Sequence, residues 1–112
     1  MTVYHKSLSQ EKWNSFDRPR QILNIASELS RAKNNLHSNA EYVRMSIERA
    51  LELIDLTINN RAQWSGNSLK EMLRLREALA MYYLDEDKSP EELRSIVIAA
   101  LNFSRESSIV RF

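Results

Sequence analysis

Arg49-Ala50-Leu51-Glu52-Leu53-Ile54-Asp55-Leu56-Thr57-Ile58 is an apolar stretch with three charges set into it. Around it, Val43, Ile47, Ala50, Leu51, Ile54 and Ile58 recur at helical spacing. Tyr42, Met45, Leu53 and Leu56 widen that stripe well beyond the usual arc. A helix apolar over most of its circumference is enclosed by several neighbours. The stretch therefore reads as the central helix of an all-helical bundle. Asp55, set among apolar neighbours, calls for a partner, because a buried unpaired carboxylate is costly.

Working outward, this helix opens at Ser38-Asn39-Ala40-Glu41, where the spacing of Ser and Glu fits a capping box, and it closes near Asn59-Asn60. On its N-terminal side, Asp17 is a good N-cap and Pro19 falls in the first turn, where its missing N–H costs nothing. Ile22, Ile25, Ala26, Leu29, Ala32 and Leu36 then share one stripe as far as His37. Ser7-Leu8-Ser9-Gln10 opens a short helix from Leu8 to Phe16, with Trp13 and Phe16 on one face as a lid over the bundle. On the C-terminal side, a linker from Asn60 to Asn67 holds Trp64 and the single glycine, Gly66. Ser68-Leu69-Lys70-Glu71 opens the next helix, with Leu69, Met72, Leu73, Leu79, Ala80 and Tyr83 on its stripe and an end near Leu84. Ser89-Pro90-Glu91-Glu92 starts the last helix, which carries Leu93, Ile96, Val97, Ala100 and Phe103. Ser104 to Phe112 reads as a flexible tail.

Short loops between successive helices favour antiparallel neighbours. The expected fold is all-α: an up-and-down four-helix bundle with a short N-terminal helix and a flexible C-terminal tail. A chain of 112 residues fits one domain, residues 1–112. One glycine and two prolines are too few for strands joined by tight turns.

Bulk chemistry removes several functions. The chain has no cysteine, which excludes thiolate nucleophiles and Cys-ligated zinc. With 16 basic and 15 acidic residues, the net charge of +1 disfavours nucleic acid or an anionic membrane as partner. The N-terminus lacks the apolar core of a signal peptide, and no apolar run approaches a membrane span, so a cytoplasmic protein with no membrane partner is expected. One glycine cannot build a phosphate-binding loop. Neither His5 nor His37 has the Glu three residues earlier that di-metal bundles use. Asp85-Glu86-Asp87 lacks the central glycine of a calcium loop. The expectation is no metal and no cofactor.

Three sets of residues remain. Glu48, Glu52 and Asp55 share part of one helix face, and antiparallel packing would bring mid-helix Arg76 to Asp55 or Glu52, either as a buried ion pair that fixes register or as the polar wall of a pocket for a small molecule. Arg31 and His37 satisfy an Arg-x5-His pattern. It resembles that of the HEPN proteins, small helical bundles that include RNases and partners of nucleotidyltransferases. In that family the pair lies near the start of a late helix and faces a dimer cleft, whereas here it closes the first long helix. The resemblance implies an RNase or toxin–antitoxin component, in which Arg31 would stabilise phosphate charge and His37 would act as acid or base. Finally, Leu53, Leu56, Leu75, Met81 and Tyr82 exceed what four short helices are expected to cover. A large uncovered apolar area marks an interface. The leading expectation is thus a non-catalytic protein-interaction module, a homo-oligomer or the binder of a protein partner.

Overall fold

Side-chain caps set where most of the helices begin. In the computed structural model the described residues are 5–86 and 88–110, with side chains described for 5–86 and 88–103. They form α1 (Gln10–Asn14), α2 (Arg18–Asn34), α3 (Ala40–Ile58), α4 (Gly66–Leu84) and α5 (Pro90–Val110). Asp17 accepts from the Arg20 N–H at the start of α2, and Ser89 Oγ from the Glu92 N–H at the start of α5, as the sequence suggests. The caps of α1 and α3 fall slightly later than expected, at Ser9 and Asn39. The cap of α4 falls earlier, at Ser65, whose side chain makes no capping bond. Gly66 follows it with φ +57, a left-handed value that glycine adopts without steric cost. The expected tail from Ser104 falls in the last turns of α5 and beyond; its side chains, and residues 111–112, lie outside the described residues.

The four long helices close a ring. α2 packs on α3 and α5, α4 also packs on α3 and α5, and α1 lies on α3. Two cross-links give the register of α3 and α4: Glu48 meets Tyr83, and Asp55 meets Arg76. Seven residues forward on α3 is seven back on α4, so the two run antiparallel.

Every apolar position expected on the last helix is buried: Leu93, Ile96, Val97, Ala100 and Phe103. So are the expected positions of α2 and α3 except Leu36, which lies past the end of α2, and Ile58, both of which are half-buried. The expected stripe of α4 needs correction. Its buried residues are Met72, Leu75, Leu79 and Tyr82, while Leu73 is exposed. The physical reason is that α4 faces two neighbours, α3 and α5, and the arc between them runs through positions 72, 75, 79 and 82.

The end of the bundle where α2 begins is built around one amide. Gln21 is fully buried. Its Nε2 lies within hydrogen-bond distance of the carbonyls of Trp13 and Phe16 and of Gln63 Oε1, at 2.9, 3.1 and 2.9 Å. Its Oε1 accepts from Trp64 Nε1 at 2.8 Å. The other indole, Trp13, donates to Thr57 Oγ1 at 3.1 Å. One side chain thus ties α1, α2 and the α3–α4 loop together and satisfies an otherwise buried indole N–H. At the opposite end, Tyr82 Oη donates to the Ser89 carbonyl at 3.1 Å, joining α4 to the start of α5. Burial, with the nearby charges of Glu92 and Asp85, pushes the Tyr82 phenol up to about 12.

Gln21→Ala leaves several buried polar groups without partners, each worth roughly 1–3 kcal/mol. Urea unfolding followed by tryptophan fluorescence should show a loss of about 3 kcal/mol, with a red-shifted native spectrum as Trp64 loosens. For Tyr82, the folded chain keeps a proton that the unfolded chain loses near the ordinary value of 10. Stability should therefore be full below pH 10 and fall as the pH rises from 10 to about 12, and Tyr82→Phe should flatten that fall in alkaline denaturation.

Candidate interaction groove

α3 is enclosed as its composition suggests, and the apolar surplus expected on it is covered. Leu51, Leu53 and Ile54 are buried, and Leu56 and Ile58 are half-buried against the core. The cover comes from the N-terminal segment. Gln10 Nε2 donates to the Leu56 carbonyl at 2.8 Å, and both the backbone N–H and Nδ1 of His5 reach Glu52 Oε1 at 2.7 Å. With Trp13 on Thr57, residues 5–13 run along α3 and hide the surface that α2 and α4 leave open. The expectation of an interface through Leu53, Leu56, Leu75 and Tyr82 is corrected accordingly. Leu53, Leu75 and Tyr82 are core residues, and Leu56 is partly enclosed. Met81 alone of that set is well exposed, at 66%.

The polar face of α3 does form, with a different energetic weight at each position. Arg76 Nε donates to Asp55 Oδ1 at 2.5 Å, and Arg76 Nη2 lies 3.5 Å from Oδ2. Asp55 raises the guanidinium's affinity for its proton. The two side chains are 50% and 42% exposed, so the pair sits at the surface and not in the core. The buried carboxylates are others. Glu48, with its side chain 4% exposed, accepts from Arg44 Nη1 at 2.7 Å and from the Tyr83 hydroxyl. That bond to Glu48 holds the Tyr83 phenol above its ordinary value. Glu28, buried on α2, takes Arg49 Nε at 2.7 Å and also Arg31. Sequence reading missed Glu28 and Gln21. Both fall on the arc of α2 that also carries Ile25, Leu29 and Ala32, and a polar residue on an apolar arc is the signal that could have found them.

Arg31 and His37 are not drawn into a pocket. Arg31 is exposed and engaged with Glu28, and His37 is exposed on the turn between α2 and α3. Trp13 and Trp64 are enclosed, so neither indole offers a platform for a nucleic-acid base. Among the described residues, no cluster of His, Asp and Glu gathers as a metal site would need, and no helix is long and apolar enough to cross a membrane.

The ring of helices is least closed between α4 and α5. A groove of ≈ 590 Å³ lies there. Leu75, Ala78 and Met81 line it from α4, and Ile96, Ala99 and Phe103 from α5. Ala78 and Ala99 are both exposed within it. Their methyl groups are too short to fill the space between two helices, and this keeps the groove open. Glu71, Arg74, Glu92, Ser95 and Asn102 complete the lining with polar groups. The chain matches no protein-family model, no curated protein and no solved structure.

The two kinds of carboxylate predict different costs. Asp55→Ala should lose less than about 1 kcal/mol in urea unfolding, as expected for an exposed pair. Glu48→Ala, which strips a buried acceptor from Tyr83 and Arg44, should lose about 2–3 kcal/mol.

Proposed function

We propose that the protein is a cytoplasmic helical interaction module that self-associates, the α4–α5 groove of one copy being covered by the same face of a second. The observation that carries this reading is the groove itself: an open apolar strip, floored by Ala78 and Ala99, with Met81 exposed beside it. The face is somewhat smaller than a standard interface, which suits a weak, concentration-dependent dimer. At 1.5 Å rise per residue, α4 and α5 are each roughly 30 Å long, and two adjacent helices about 10 Å wide present on the order of 600 Å². A standard interface buries about 800 Å² per partner. A face that meets its own copy across a two-fold axis needs no second kind of surface. Polar edges would set register, while Ala78, Met81 and Ala99, the exposed apolar residues of the groove, would supply the apolar contact.

Light scattering after size exclusion, over a range of concentrations, should give a dimer mass. Ala78→Arg puts a long cation on the groove floor at an exposed position, so it should yield a monomer with unchanged helical circular dichroism. A wild-type chain that stays monomeric at every concentration would sink self-association. A dimer indifferent to Ala78→Arg would move the interface off this groove.

A further inference from the structure

Charge and bulk are placed unevenly along the α4–α5 groove. Its lining runs from Glu71 to Met81 on α4 and from Glu92 to Phe103 on α5. The bond from Tyr82 Oη to the Ser89 carbonyl sets the end of α4 beside the start of α5, so the two helices run antiparallel. Met81 and Glu92 therefore lie at one end of the groove, and Glu71 and Arg74 at the other. Ala78 lies between, and Ala99 is displaced toward the Arg74 end.

A twofold axis normal to the groove lays α4 of one copy on α5 of the other, with both pointing the same way. Helices that run in the same direction with the same rise meet at a constant offset in residue number. Two independent features ask for one and the same offset. Arg74 is a cation, and Glu92, eighteen residues on, is an anion. Met81 is a large side chain, 66% exposed, and Ala99, again eighteen residues on, is an exposed residue too short to fill its space. The same offset sets Ala78 against Ile96, at the middle of the groove where the axis passes. It also brings Glu71 to Ser89, the cap of α5, where negative charge is favoured. Arg74 holds Glu71 through Nη1, and a guanidinium carries five N–H donors, so Arg74 can span Glu71 of its own helix and Glu92 of the second copy.

We infer, on the reading that the groove joins two copies, that α4 of each lies parallel on α5 of the other in this register. Arg74 of one copy pairs with Glu92 of the second, and Met81 of one fills the space over Ala99 of the second. Each contact occurs twice. The partner is thus chosen by charge order along the groove as well as by its apolar surface.

Sedimentation over a range of concentrations tests the pairing in the full chain. Arg74→Glu, which sets like charges together at both ends, should weaken the dimer at least about tenfold. Glu92→Arg alone should weaken it less, because Glu71 stands beside Arg74. Arg74→Glu with Glu92→Arg in one chain should restore wild-type association. The chain has no cysteine, so disulfide trapping gives a second measurement. Met81→Cys with Ala99→Cys should oxidise to a covalent dimer, and neither single variant should. Within one chain, Ala99 lies seven residues beyond Glu92, about 10 Å along α5, past disulfide reach of Met81. A dimer that Ala78→Arg breaks but Arg74→Glu leaves intact, no recovery in the doubly charge-reversed chain, or no trapping above the single variants would each overturn this register and leave self-association through the groove standing. A wild-type chain that is monomeric throughout would overturn both. Trapping decides the register even if a charge-reversed chain does not fold.

Discussion

A single buried amide holds one end of this molecule together. Gln21, in the first turn of α2, sits where α1 and the α3–α4 loop converge, and its amide bonds to both and to the Phe16 carbonyl between α1 and α2. An amide suits the position because it donates and accepts at once. The loop offers an indole N–H and an amide oxygen, and the end of α1 and the turn after it offer the carbonyls of Trp13 and Phe16. A charged side chain would bring a desolvation cost here, and an apolar one would strand these groups. With Gln21 in place, both tryptophans can be buried fully with their N–H groups bonded. Trp64 further serves as the surface on which Arg18 lies and against which Phe103 packs edge-on. The N-terminal segment is therefore a structural part of the bundle. It covers α3, and it does so because Gln21, Thr57, Glu52 and the Leu56 carbonyl each bond to it.

Once α3 is covered, the surplus apolar surface of the chain lies elsewhere. α3 has α1, α2 and α4 around it. α5 and α4 meet along a seam where Ala78 and Ala99 leave space, and the groove is the result. Charge is distributed on the same logic. Carboxylates near the core, Glu28 and Glu48, each draw an arginine, and Glu48 gains a phenol as well. Asp55 and Arg76 meet at the rim of the α3–α4 seam, where water shares their solvation. Helix register between α3 and α4 is thus marked twice, once by a buried contact and once by an exposed one.

Much of the fold was legible because capping and periodicity are local. Asp17 with Pro19, and Ser89 with Pro90, announce helix starts within a few residues of sequence, and the stripes of α2, α3 and α5 name their own core positions. The pairing of Asp55 with Arg76 also followed from antiparallel neighbours and helical spacing. Burial was harder to read. The spacing of α4 was compatible with two stripes, one through Leu73 and one through Leu75 and Tyr82, and only contact with both α3 and α5 selects the second. Tyr82, Leu75 and Leu53 looked surplus for the same reason: a sequence gives each helix a face but not the number of its neighbours. The roles of Gln21 and Glu28 depend in part on partners 21 to 43 residues away, which no local pattern connects.

The sequence by itself determined that the chain is helical, where each helix starts to within about a turn, and which side of α2, α3 and α5 turns inward, since those follow from hydrogen bonds and spacings within a turn or two. The tertiary structure alone decided which apolar residues are left over. Covering one helix uncovers another, and that balance depends on how a five-residue helix held by a buried glutamine lies across α3, a matter of long-range contact that no stretch of chain carries on its own.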